Sequence, residues 1–297
     1  MRALAEFIMR GRTQATLVVA GAAALPMMFW LSAAAGSLVL LRRGMNDAVG
    51  ILAWALLPAL GWWYFGEPRT LLVLLGSLGL ALVLRSSVSW TRVLMVSVAL
   101  GLLFSVVLGA VFREPIMAMA GELQKLLPQV MGGVHPQLSE DERARLDAMI
   151  APVLTGLIAA LLQLLCVLSL TLGRYWQAAL YNPGGFGREI RALRLPPALS
   201  FGLLAAMLLG PNLGLELAML TPICSVPLAF AGLALIHGLV KQGGLAGFWL
   251  VGLYVSLLLF MQLIYPLLVV LAIVDSLIDF RGRQARKNGP GPANGEG

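Results

Sequence analysis

Of the 297 residues, 59% are hydrophobic and only 12% charged, whereas a soluble domain carries about a quarter charged, so a water-soluble globular protein is excluded. The net charge of +7 comes from arginines at the ends of apolar runs rather than from a basic stripe, a pattern that encodes membrane orientation and argues against nucleic acid as a partner. The longest polar segment, Arg113 to Met149, still contains apolar stretches and is too short to bury a sizeable core.

At the N-terminus, Arg2, Arg10 and Arg12 precede an apolar run from Thr16 to Leu41 that Pro26 interrupts. Ala33-Ala34-Ala35 imitates a signal-peptide cleavage site, but Arg42-Arg43 follows at once and reads as a cytoplasmic flank, so the run is expected to be retained. Inside it, Ala20/Ala24 and Ser32/Gly36 have the small-xxx-small spacing that lets helices approach closely.

Runs of spanning length, about 17 to 25 residues, follow at Val49–Phe65, Val93–Phe112, Ile150–Leu172 and Leu215–Val240. Leu71–Leu84 and Ala198–Leu209 are shorter and are expected to extend into their flanks. Trp62-Trp63-Tyr64 forms an interfacial aromatic cluster. In the polar loop 113–149, Ile116, Met119, Ala120, Leu123 and Leu127 recur at helical spacing, which predicts an amphipathic helix lying along the outer interface. Ser139 with Glu142 predicts a capping box, opening a helix that continues through Arg143, Arg145 and Asp147 into the span at Ile150.

The loop 173–197 is the long polar interruption of the C-terminal half. Tyr175, Trp176 and Tyr181 suit the headgroup level. Asn182-Pro183-Gly184-Gly185 matches a type II turn, with Pro setting φ at its second position and Gly accepting positive φ at its third. Phe186 closes the motif, and Arg188, Arg191 and Arg194 follow on a short helix that Pro196 ends. The final run, Leu245–Phe280, is interrupted by Pro266 and carries Asp275 and Asp279, which can pair with Arg281 or the basic loop. Residues 281–297 are expected to be a disordered tail, first basic and then Gly/Pro-rich.

Charge parity governs the two long runs. Were each a single crossing, Arg42-Arg43 would lie opposite Arg10 and Arg12, and the 173–197 loop opposite Arg281 and Arg283, breaking the positive-inside rule twice. Were each folded back near its proline, only Arg69, Arg113, Lys125, Arg143 and Arg145 of the 21 basic residues would fall outside. A single kinked, tilted helix through Pro26 stays open for the first run. The last run, about 36 residues, is too long for one ordinary span. These readings predict an all-α polytopic membrane protein of about eight to ten transmembrane or re-entrant helices. It would form one membrane domain, 1–280, in the bacterial inner membrane, with segment 113–149 extracytoplasmic and both termini cytoplasmic.

The available chemistry favours binding over catalysis. None of the three lysines follows a glycine, so no G-x-x-x-x-G-K-[ST] loop exists and energised transport would need separate ATPases. His135 and His237 have no carboxylate at ligand spacing, and no H-E-x-x-H occurs, so neither a metal site nor a catalytic centre is expected. Cys166 and Cys224 lie in separate apolar segments and read as small buried hydrophobes. His237, near the end of its span, reads as a satisfied interfacial histidine. Three polar residues in apolar surroundings, Gln163, Glu216 and Gln262, are candidates for lining a ligand cavity; interhelical hydrogen bonding is the competing role for the two glutamines.

Leu40-Leu-Arg-Arg-Gly44, Tyr181-Asn-Pro-Gly-Gly-Phe186 with Leu193-Arg-Leu-Pro196, and Asp275-x-x-x-Asp279-Phe-Arg281 together resemble the YybS-like family of bacterial membrane proteins. That family is distantly similar to the S subunits of energy-coupling-factor transporters. The resemblance implies a helical bundle that holds a small vitamin-like molecule or a metal ion near the outer leaflet, with a membrane coupling subunit and ATPases as partners; separately, no cofactor is expected. It also implies a docking role for small-residue motifs such as Ala20/Ala24. The functional expectation is a small-molecule-binding or transport subunit without its own ATPase; the alternative is a membrane scaffold or assembly factor acting through the basic loop.

Overall fold

The computed structural model describes residues 2–132 and 139–287, with side chains through Gln284. Among these residues the chain forms fourteen α-helices and one short 3-10 helix, with no strand. Six helical segments are long and apolar enough to cross a membrane, and the protein is an all-α polytopic membrane protein. Its helices cluster into two compact units, Met1–Phe186 with Leu204–Val226, and Gly187–Leu203 with Pro227–Gly297.

The first unit opens with α1 (Arg2–Arg10) and α2 (Arg12–Ala24), then breaks at residues 25–28 around Pro26 before α3 (Phe29–Arg43). Ser32 Oγ on α3 donates to the Val19 carbonyl of α2 at 2.7 Å, and Arg43 reaches back to the Met9 carbonyl at 3.0 Å. The run is therefore a hairpin, and the single kinked helix is excluded. Two short helices cannot satisfy a membrane alone, and α3 is accordingly sheathed in protein, with every residue from Ser32 to Leu41 buried. Ser32 and Gly36 serve this internal packing, whereas Ala20 is half-buried and Ala24 exposed on α2.

Three spans follow, α4 (Met45–Tyr64), α5 (Arg69–Ser87) and α6 (Trp90–Val111), of which α4 and α5 pack against α3. Trp62 of the aromatic cluster donates to the Ala23 carbonyl at 3.2 Å, closing the end of α2. The terminal carbonyls of α3 accept from Arg85 (2.9 Å to Leu40, 2.8 Å to Leu41) and from Gln177 (3.2 Å to Leu41), the Leu40 carbonyl also accepting from Gly44 N–H at 3.0 Å. Arg42 lies over the Tyr181 ring at 4.1 Å, and Arg12 pairs with Asp47. One end of the unit thus gathers the basic segments around residues 12, 42–43 and 85, as the folded-back first run requires.

After α6 come α7 (Arg113–Met131) and α8 (Glu140–Tyr181). The capping box is present: Ser139 N–H and Oγ donate to the Glu142 carboxylate at 2.8 and 2.9 Å, and Ser139 Oγ accepts from Glu142 N–H at 3.3 Å. At 42 residues α8 is about 63 Å long, twice the hydrocarbon thickness of about 30 Å, so its first turns stand outside the membrane. There the Ser139 donors hold the Glu142 carboxyl below its usual value. His135, between α7 and α8, lies outside the described residues, as does the tail beyond Lys287.

Because α8 continues to Tyr181, the expected loop 173–197 shrinks, and Trp176 is fully buried in protein. Tyr175 remains half-exposed and packs on Phe186, ring centroids 5.9 Å apart. The turn after α8 is type II as predicted: Gly185 N–H donates to the Asn182 carbonyl at 2.9 Å and Gly184 has φ +80°. Next come α9 (Gly185–Ala192) and α10 (Pro197–Leu213), bent from each other by 67°. The 3-10 helix Leu215–Met219 then leads into α11 (Leu220–Gln242).

In the second unit, α12 (Phe248–Leu259) and α13 (Met261–Ile278) meet at a break at Phe260, and Pro266 sits inside α13. The final apolar run is broken, but six residues earlier than its proline suggested, because a helix can absorb one missing N–H by a local bend. Residues 281–287 are not disordered: α14 (Phe280–Lys287) follows directly, and Arg281 is buried in an ion pair with Asp275 at 2.9 Å. Arg188 and Arg191 lie on α9 as expected, whereas Arg194 lies beyond its end and pairs with Asp279 at 3.5 Å.

Candidate ligand-binding cleft

At the end of α6 and α8 remote from the basic cluster, the first unit holds a cleft of about 380 Å³. Ser105 lies fifteen residues, about 22 Å, along α6 from Trp90, and Thr155 lies about 39 Å along α8 from Tyr181. Four elements form the walls, α6, α7, α8 and the 3-10 helix.

Each wall is positioned by identifiable contacts. Phe112, which joins α6 to α7, stacks edge-on against Trp63 at 5.2 Å. Beyond it Ile116 and Ala120 are the buried residues of α7, and Gln124 donates to the Asp147 carbonyl of α8 at 3.1 Å. Of the apolar stripe expected on this helix, Met119 and Leu123 remain exposed. The 3-10 helix is seated by Gly156 of α8: a Cβ there would come within 2.5 Å of the Met219 Cα, so only glycine lets the two backbones touch.

The cleft is amphipathic. Val106, Ile116, Met117, Pro152 and Met219 supply apolar surface, while Arg113 and Glu216 supply opposite charges. Neither charged group makes an ion pair or hydrogen bond among the described residues. The hydroxyls of Ser105 and Thr155 return their protons to carbonyls of their own helices, Leu102 and Ala151, both at 2.8 Å. They therefore keep acceptor capacity toward the cleft.

The three polar residues marked in the sequence separate. Glu216 lines the cleft. Gln163 is fully buried about 12 Å further along α8, where its Nε2 donates to Ser97 Oγ of α6 at 3.0 Å and its Oε1 has no partner. Gly101 makes room for that carboxamide, since a Cβ would lie 2.7 Å from Oε1. Gln163 is thus an interhelical hydrogen-bonding residue. Gln262 stands exposed on α13 in the second unit and does not share the cleft. Arg113, which completes the site, was read from the sequence only as an outer-side charge. Its signal was its place directly after a span, four residues before the apolar Met117.

The remaining reactive groups are quiet. Cys166 and Cys224 are free and buried, His237 hydrogen-bonds Tyr254 at 2.8 Å, and no group of metal-ligating side chains gathers among the described residues. No family model matches the chain, and no curated protein or solved structure matches it.

Proposed function

We propose that this is a small-molecule-binding subunit of a bacterial inner-membrane system, with no ATPase of its own. The observation that carries the reading is the cleft: its volume of about 380 Å³ falls in the range of about 300 to 1,000 Å³ typical of small-molecule sites, and it sets two uncompensated charges against apolar walls. Its position at the end of the spans opposite the basic cluster makes it extracytoplasmic if the positive-inside rule orients the chain, with both termini cytoplasmic. The resemblance to the YybS-like family, and through it to S subunits, points the same way. A membrane coupling subunit and ATPases would then supply the energy.

The scaffold reading has less support, because part of the basic loop is committed within the fold. Arg194 donates to the carbonyls of Asp275 and Ser276. Isolation of the detergent-solubilised chain followed by native mass spectrometry tests the proposal. A bound small molecule, or a co-purifying coupling subunit, is the expected result; the bare chain alone would overturn it.

A further inference from the structure

We propose that the cleft is selective for a zwitterionic amphiphile, whose anionic group meets Arg113 and whose ammonium meets Glu216. This rests on the reading of the cleft as a ligand site. Arg113 and Glu216 both line it and neither is paired among the described residues. A purely anionic ligand would satisfy Arg113 but bring like charge against Glu216, and a cation would do the reverse. An uncharged ligand would cover both charges without pairing either, which is costly. A molecule carrying both charges is the ligand class that satisfies both.

The apolar part follows from the order of residues along the elements. Arg113 is the first residue of α7, directly beyond the span α6, and Glu216 lies at the start of the segment leading into α11. Both therefore mark the level where spans end and headgroups begin. Gly109 and Val106, one and two turns back along α6 from Arg113, line the same cleft toward the membrane interior. Charge at the rim and apolar surface below it is the polarity profile of an amphiphile. An aminophospholipid and a free apolar amino acid share this chemistry.

The test is a titration of the detergent-solubilised full chain with three probes: short-chain phosphatidylethanolamine, short-chain phosphatidylglycerol and leucine. Wild type is compared with Arg113→Gln and Glu216→Gln. Binding of phosphatidylethanolamine or leucine that weakens about tenfold or more in each variant supports the proposal, and the probe that binds identifies lipid or free metabolite as the source. Neither side chain is paired among the described residues, so both variants should keep the wild-type melting temperature without ligand, separating lost binding from lost folding. Phosphatidylglycerol binding as tightly as the zwitterions, or affinity indifferent to Glu216→Gln, overturns the proposal. If no zwitterion binds while native mass spectrometry still finds another bound molecule, the charge assignment fails and the ligand-binding reading survives. If nothing is bound in either experiment, both fail.

Discussion

Arg194 and Arg281 cap each other's helices. Arg194, just past the end of α9, donates from Nε and Nη2 to the Asp275 and Ser276 carbonyls in the last turn of α13, at 3.0 and 2.8 Å. Arg281, just past the end of α13, donates from Nη1 to the Arg191 carbonyl in the last turn of α9 at 2.7 Å. Each guanidinium thus donates to last-turn carbonyls, of which that of Asp275 also accepts from Asp279 N–H at 3.0 Å, and places positive charge at the negative end of a helix dipole.

Loss of Arg281 should be the more damaging of the two. Its Nη2 also holds the buried Asp275 carboxylate at 2.9 Å, and removing one member of a buried ion pair costs about 3 to 5 kcal/mol. Arg281→Ala is expected to lower the thermal unfolding midpoint in detergent markedly. The double variant Asp275→Leu/Arg281→Leu should recover much of the loss, because no uncompensated charge remains buried. A double variant as unstable as the single would count against this account.

Gly232 of α11 is where that helix meets α13 backbone to backbone: the space a side chain would occupy holds the Leu268 carbonyl. Gly232→Ala is expected to destabilise by about 1 to 3 kcal/mol, the usual cost of overpacking. Differential scanning fluorimetry of the purified variant provides the check.

The hairpin of α2 and α3 predicts a labelling pattern. Native Cys166 and Cys224 are buried, so background reaction should be low. Arg10→Cys and Arg42→Cys should both react with a membrane-impermeant maleimide from the same face of oriented vesicles. Reaction from opposite faces would mean that the run crosses once.

Gln163→Leu should be tolerated. Hydrogen bonds between membrane helices contribute about 0.6 kcal/mol on average and at most about 1.7, and Gln163 Oε1 is already unpartnered. Thermal unfolding is expected to shift little, and bound ligand should be retained because Gln163 does not line the cleft.

The capping box predicts a pH dependence confined to the start of α8. Folded Glu142 titrates below its unfolded value because Ser139 N–H and Oγ donate to it. The box therefore adds stability above the ordinary carboxylate range and loses it as pH falls through the lowered value. Hydrogen-exchange protection of residues 140–143, corrected for intrinsic rates, should drop over that window in wild type and be low at all pH in Ser139→Ala.

Local features proved readable wherever the signal was steric or a matter of nearest neighbours. The Ser139/Glu142 box and the Asn182–Gly185 turn depend on residues at most three apart, and both form as their spacing requires. The pairing of Asp275 with Arg281 was equally visible from charge and proximity. Pro266 misled because a proline permits a break without imposing one, and the chain breaks instead at Phe260. That Trp176 is buried in protein was not readable, because it depends on α8 continuing past it to Tyr181 and on the helices that pack there.

Composition and charge order settle that the chain lives in a membrane as helices, and the positive-inside rule, with its large cost for arginine in hydrocarbon, makes a folded-back first run the consistent reading. Which polar residues share a site is beyond that reach. Gln163, Glu216 and Gln262 look alike as polar residues in apolar sequence, yet one is consumed by Ser97, one faces a cleft and one is exposed. Helix packing separates them, since rotation and approach depend on contacts such as Gly156 against Met219, made between residues distant along the chain. The same packing joins Arg113 to Glu216 in one cleft, a pairing of residues about a hundred positions apart that no local pattern encodes.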